Sequence, residues 1–311
     1  MIFSCSDRAS DQGRLAGIAA RLAAPARVVT LDQALADFLV TDIVVDVDAP
    51  RLFEEAPELP DRLRGAWGRA LETMAHNENP AFSAAGSPSA YAVFFGPPIG
   101  IGDNEPVRPY VIRADRAGMA MRITLRLFGF ADCWLADAMA ALEAAIAGGI
   151  ALRQSSHHRV FMHLRDIWVE RSWGIAVRPL PKRAVMLLET PLALRSGRYI
   201  GGNRDRLGPA IARRLRALCL WQDMALAPGA EWRSLAAAAG GWRVLKQDIE
   251  VTDYRRFSVS QRQGQTIRGL VGRAVVEAFT ETSWSLLEAA AIIHGGSGSA
   301  GGLGRILIVP L

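Results

Sequence analysis

Apolar and polar positions change period several times along this chain, and each change marks an element. In DIVVDVDAP (Asp42 to Pro50) they alternate, as in a strand with one buried face. In LPDRLRGAWGRALETMA the residues Leu63, Ala66, Trp67, Ala70 and Met74 recur at three- and four-residue steps, which lines them along one helix face. A turn-rich link, NENPAFSAAGSPS, leads to three short strand-like runs, YAVFFGPP, RPYVIRA and AMRITLRLFGF. CWLADAMAALEAAIAGG reads as a helix stopped by Gly148 and Gly149, and HHRVFMHLRDIWVE as a strand. With YAVFFG set aside as an extra or edge piece, Asp42 to Glu170 has the order β-α-β-β-α-β of a ferredoxin-like domain.

The second half repeats that order without repeating its residues. AVMLLETPLAL (Ala184 to Leu194) is a strand, and DRLGPAIARRLRALCLWQDM a long helix with Leu207, Ile211, Leu215 and Leu218 on one side. WRVLKQDIEVTDYRRFSVS and TIRGLVGRAVVEAF are strands joined by the polar turn QRQGQ. SWSLLEAAAIIHGG is a helix with Ser283 at its N-cap, and GRILIVPL is the last strand. The prediction is an α+β chain of two tandem ferredoxin-like (RRM-like, βαββαβ) domains, residues 39–178 and 179–311. A helical, Ala/Arg-rich N-terminal extension, residues 1–38, precedes them. Helices on one face of each sheet leave the other open to an extended ligand such as single-stranded RNA.

Composition adds a partner class. The formal charge is +5 with a pI near 9.5, and basic chains suit polyanions. Lys182 and Lys246 are the only lysines, so the positive charge is arginine, which binds phosphate in a planar, bidentate manner. Cys5, Cys133 and Cys219 lie far apart without a CxxC spacing, which points to a reducing compartment and away from a structural zinc site. No apolar run approaches the ~20 residues of a membrane-spanning helix, and MIFSCSDRASDQGR is too polar for a signal peptide. A cytoplasmic protein with no membrane partner is expected.

The densest local signal lies near the end, in HGGSGSAGGLGRILIVPL, with six glycines between His294 and Arg305. Glycine relieves φ/ψ limits, and runs of N–H groups in such loops form anion-binding nests. Nucleotide-binding loops run strand, glycines, helix; this one runs helix, glycines, strand and lacks GK[ST], so Rossmann and P-loop readings fall away.

Several phrases in order resemble the CRISPR-associated endoribonucleases of the RAMP superfamily, which cut repeat RNA out of a precursor transcript. HGGSGSAGGLGR is similar to that family's glycine-rich signature, and YRRFSVSQRQGQTIRGLVG (Tyr254 to Gly272) to its R-x-S-x-x-Q…GxxG hairpin. TPLALRSG looks like the opening strand of its second domain, MRITLRLFGFADCWLADAMAALEAAIAGGI like its FG-then-helix segment, and LRGAWGRALETMAH like its RGA[FW]G helix. The resemblance runs from about residue 60 to 308 and implies a pair of ferredoxin-like domains. It also implies metal-independent, cofactor-free cleavage, in which a ribose 2′-OH attacks the adjacent phosphate to leave a 2′,3′-cyclic phosphate. The implied partners are CRISPR repeat RNA and other subunits of an effector complex.

That reaction needs a base, an acid and cations. Histidine suits proton transfer because its ordinary pKa of about 6.5 lies near working pH. Residues 1–75 contain no histidine, so the five candidates are His76, His157, His158, His163 and His294. His157 and His158 rank first: they are neighbours on a strand start, so one of the two faces the RNA. His76 at a helix end comes next and His294 after it, while His163 in FMHL reads as a sheet residue. Candidate RNA contacts are Arg153, Arg159, Arg255, Arg256, Ser258, Gln261, Arg262, Arg268 and Arg305, with His294, Gly296, Gly298, Gly302 and Gly304 of the loop. Asp46 and Asp48 share a strand face without His or Cys nearby and read as structural. A non-catalytic RNA-binding subunit is the alternative to an active nuclease.

Overall fold

A computed structural model describes residues 5–49, 58–76, 87–97, 99–101, 104, 107–117, 120–151, 159–194, 206–258 and 263–311, with backbone alone at 5–12, 255–258 and 263–265. The chain opens with α1 (Cys5–Ala23), β1 (Arg27–Val29) and α2 (Leu31–Ala36). Next come β2 (Leu39–Asp48), α3 (Leu59–His76), α4 (Ala90–Phe95), β3 (Tyr110–Ala117), β4 (Ala120–Phe128), a 3-10 turn at Gly129–Trp134, α5 (Leu135–Ala147) and β5 (His163–Trp173). The rest comprises β6 (Arg183–Leu192), α6 (Leu207–Leu220), β7 (Met224–Leu226), α7 (Ala230–Ala238), β8 (Arg243–Ser258), β9 (Gln263–Glu277), α8 (Glu281–Ile293) and β10 (Ile306–Pro310). Two compact units result: residues 1–25 with 40–171, and residues 26–39 with 172–311. No helix among the described residues is long and apolar enough to cross a membrane.

The first unit carries a four-stranded sheet in the order β3-β4-β2-β5. Relabelled in sequence order this is 2-3-1-4, the ferredoxin-like arrangement, with α3 and α5 as the connecting helices. Odd positions of β2 and β4 (Ile43, Val45, Val47; Ile123, Leu125, Leu127) are fully buried, as the period-two reading requires. The charges fall at even positions, Asp42, Asp46 and Asp48 on β2 and Arg122 and Arg126 on β4. Register places Asp42 opposite Arg126 and Asp46 opposite Arg122, and both pairs are bidentate, at 2.8 and 2.6 Å in the first and 2.8 and 2.9 Å in the second. Asp48 pairs with Arg165 of β5. The carboxylates of DVD are therefore each held by a guanidinium, and Arg122 pulls the Asp46 pKa below its ordinary value through that hydrogen bond.

YAVFFG is not a strand. Ser89 caps it, accepting from the Ala92 amide at 3.2 Å, and the resulting α4 turns Phe94 and Phe95 onto Trp67, with ring centroids 5.2 Å apart in both cases. Tyr110 closes the cluster at 5.0 Å from Trp67. Helix formation wins because it brings Phe94 and Phe95 to join Tyr110 around one fully buried tryptophan, whose indole N–H donates to the Ala138 carbonyl of α5. Gly68 makes room: a Cβ there would lie 2.6 Å from the Phe95 ring.

The second unit repeats the topology, with sheet order β10-β6-β9-β8, again 4-1-3-2, and α6 and α8 as connectors. Two readings are corrected here. Residues 26–38 are not all helical: β1 pairs in parallel with β7, and Gln222 grips the Leu39 backbone from both sides, its side-chain oxygen accepting from N–H at 3.0 Å and its amide donating to C=O at 2.9 Å. The helix beginning at Leu207 correspondingly stops at Leu220, Asp223 takes a positive φ of 61°, and the next residues become β7. The short α7 was not foreseen. Long-range pairing overrides local helix preference at both places.

The Asp42–Arg126 pair is nearly enclosed, each residue 8% exposed. Arg126→Leu alone should lower stability by about 3–5 kcal/mol, whereas combining it with Asp42→Leu should recover most of that loss. Urea unfolding of the three variants checks this; a double variant no more stable than Arg126→Leu would contradict it.

Candidate nucleic-acid interface

In the second unit the two motifs singled out above meet on one strand end. β6 pairs with β9 as far as Leu192, opposite Leu270. Past that point, among the described residues, β8 and β9 continue as a two-stranded ribbon, from the Thr252–Gly269 pair to the Ser258–Gln263 pair, a reach of roughly 20 Å. Arg255 and Arg256 are successive residues of this ribbon, opposite Thr266 and Gln265. Ser258 ends β8. Arg268 is exposed and meets Asp253 across the ribbon at 3.0 Å. Gln261 and Arg262 at the turn lie outside the described residues.

The glycines of TIRGLVG have separate tasks. A Cβ on Gly269 would lie 2.7 Å from the Pro191 ring, and one on Gly272, where φ is 124°, would lie 2.1 Å from the Asp248 carbonyl oxygen. The first glycine lets the ribbon base press on the end of β6. The second lets β9 lie close to the Asp248 carbonyl of β8.

The glycine loop lies on the other side of that same strand end. Ser297 N–H donates to the Ala193 carbonyl at 2.8 Å, Gly304 N–H to Pro191 at 3.1 Å, and Gly295 N–H to Gly304 at 2.8 Å. Thr190 Oγ1 accepts from the Arg305 amide at 2.8 Å and donates to the Gly302 carbonyl at 2.9 Å. Gly296, Gly298, Gly302 and Gly304 all have φ between 67° and 85°, a range L side chains rarely adopt. Many of the loop amides are thus used to build the loop. Gly302 and Gly304 are buried, and Ser297 is its exposed point.

His294 is inside. It is 1% exposed, ends α8 with φ 61°, and its Nδ1 lies 3.2 Å from the Leu303 carbonyl, so it braces the loop from within. Arg305 is held by Glu189, Nε to Oε2 at 2.8 Å. Glu189 is a part of this arrangement that lay outside the sequence motifs, while Thr190 and Gly269 lay inside TPLALRSG and the GxxG without being named as candidates. The signal for Thr190 was its place in TPLA, on the strand both motifs share.

In the first unit His76 is the exposed last residue of α3, with Nδ1 2.6 Å from the Glu72 carbonyl. His163 is exposed at the start of β5. Arg153, His157 and His158 lie outside the described residues, but the chain on both sides of them is fixed: Ile150 and Val160 exchange two hydrogen bonds, at 2.8 and 2.9 Å. Arg159 follows directly and donates to the Gly148 carbonyl at 2.8 Å.

No protein-family model matches the chain, and no curated protein matches it. Solved structures do. A Cas6 from Thermus thermophilus is 13% identical, with a TM-score of 0.51 over 88% of this chain and 100% of that one. A Cas6 product complex gives 16%, 0.49, 88% and 99%, and a partial Cas6-RT-Cas1–Cas2 complex gives 9%, 0.45, 88% and 46%. The first of these shares the tandem ferredoxin-like fold with this chain.

Gly304 is the tightest point of the loop: a Cβ would lie 1.8 Å from the Gly295 carbonyl oxygen, at φ 67°. Gly304→Ala should therefore destabilise the protein by about 3 kcal/mol or more, against about 1 kcal/mol for Gly229→Ala, where φ is 66° but nothing lies within 4 Å. Thermal unfolding compares them; equal losses would show that the close approach does not hold the loop.

Proposed function

We propose that this chain is an endoribonuclease that binds CRISPR repeat RNA and cleaves the precursor transcript without a metal ion, the 2′-OH beside the scissile phosphate acting as nucleophile. The observation that carries this reading is the meeting of an arginine-bearing ribbon and a glycine loop on the end of β6, within a fold shared with a Cas6. A projecting ribbon with Arg255, Arg256 and Arg268 suits the phosphates of a repeat hairpin and supports retention of the cleaved product. The glycine loop sets the ribbon's neighbour strand and presents Ser297 and the backbone around Gly296 and Gly298, with His294 as its internal brace. Other subunits of an effector complex are the protein partners this reading implies.

Cleavage falls to His157 and His158, ahead of His76. An imidazole takes the 2′-OH proton, a second group returns one to the departing 5′-oxygen, and Arg153, in the same segment, balances charge on the phosphorane. Each proton transfer contributes roughly 10²–10⁴-fold. A second reading, an RNA-binding subunit that does not cut, is favoured by the absence of histidine from residues 1–75 and by the enclosure of His294.

Purified protein with repeat RNA in EDTA separates the two. Cutting of all-ribose RNA but not of RNA with a 2′-deoxy at the scissile position supports the nuclease; tight binding of both without cutting supports the second reading. His157→Ala with His158→Ala should slow cleavage at least about 10²-fold and leave affinity unchanged. An unaltered rate would move the chemistry to His76 or an arginine.

A further inference from the structure

In the first unit, Arg159 and Phe161 both lie against Gly149, where α5 ends. A Cβ built on Gly149 would be 3.0 Å from Phe161 Cδ1 and 3.1 Å from Arg159 Cβ, and Gly149 escapes this only as a glycine with φ 71°. The Phe161 ring is 63% exposed, although a phenylalanine beside a helix end has every reason to fold inward. Val160 anchors the backbone between the two residues, so ring and guanidinium are presented from a fixed frame. Arg69 of α3 is also exposed and lies close enough to Arg159 that, after partial burial, this second guanidinium is the main influence pressing its pKa down. Among the described residues neither arginine forms an ion pair with a carboxylate; Glu72 acts on Arg69 only at longer range. Arg69 also falls seven residues after Arg62 and seven before His76, a spacing that puts all three on one side of α3.

Two arginines near one another and an exposed ring beside one of them are what a single-stranded nucleotide needs: guanidinium groups for phosphate and an aromatic face for the base. We infer that Arg69, Arg159 and Phe161 form a site for one unpaired nucleotide of the bound RNA, its phosphate between the arginines and its base stacked on Phe161. This rests on the endoribonuclease reading for the identity of the RNA, and it gives the first unit a binding role separate from cleavage. The charge favours RNA over an apolar protein partner, which would leave two guanidinium groups unanswered.

The test uses the full-length protein and a repeat RNA made uncleavable by a 2′-deoxy at the scissile position, retaining its single-stranded flanks. Phe161→Ala should weaken binding roughly 5- to 100-fold, and an RNA with abasic flank positions should bind wild type equally weakly while showing no further loss with the variant. Arg69→Gln should lower the slope of log K against log salt by about 0.7. Phe161→p-benzoylphenylalanine, which keeps an aromatic ring at this position, should crosslink to the flank on irradiation. Wild-type affinity and salt slope in both variants, or no crosslink while RNA is bound, overturn this site alone. A wild-type protein that binds no repeat RNA overturns the endoribonuclease reading as well.

Discussion

The end of β6, Thr190 to Ala193, is the constraint on which the second unit depends. Its carbonyls at Pro191 and Ala193 receive the amides of Gly304 and Ser297 on one side, while its Pro191 ring meets Gly269 on the other. The approach depends on missing Cβ atoms at Gly269, Gly304 and Gly296, the last of which would carry its Cβ 2.5 Å from the Ala193 carbonyl oxygen. Residues with side chains at 269, 296 or 304 would push loop and ribbon away from the strand, and the two motifs would no longer be positioned relative to each other. Thr190 ties the arrangement together because its one hydroxyl serves the loop as both donor and acceptor. The glycine content is thus explained first by packing, and only through packing by any ligand.

The first unit is stabilised differently. Its helix-facing layer is apolar and closed around Trp67, while the opposite face of the sheet carries a row of carboxylate–guanidinium pairs, Asp42–Arg126, Asp46–Arg122 and Asp48–Arg165. These arginines are committed to carboxylates. Among the described residues, Arg69 of α3 and Arg159 beside the end of α5 form no ion pair with a carboxylate. That division locates positive charge more closely than the net charge of +5 does, because among the described residues it separates the arginines committed to carboxylates from these two.

Much of this was legible in the residues. Alternation in DIVVDVD and the stripe through Leu63, Trp67 and Ala70 placed β2 and α3, and the repeated element order placed the two sheets. What periodicity missed was decided by distant partners. YAVFF has the composition of a strand, but Trp67 and Tyr110 make a helix of it by offering its rings a shared pocket. WQDMAL continues a helical pattern until Asp223 turns the chain into register with Arg27–Val29, a segment almost two hundred residues earlier. His294 shows the limit at the site: the sequence places a histidine beside glycines but says nothing of its being enclosed. Phe161 was hidden in the same way, since an apolar residue in a strand-like run gives no sign that it faces solvent.

The central claim, that the chain cuts repeat RNA through its own 2′-OH, is tested most directly by the chemistry of the ends it leaves. Single-turnover cleavage of a repeat RNA in EDTA, with the products weighed by mass spectrometry, should give a 5′ fragment ending in a 2′,3′-cyclic phosphate and a 3′ fragment beginning with a 5′-hydroxyl. A 3′-hydroxyl paired with a 5′-phosphate, or intact RNA that the protein nonetheless binds tightly, would contradict the account.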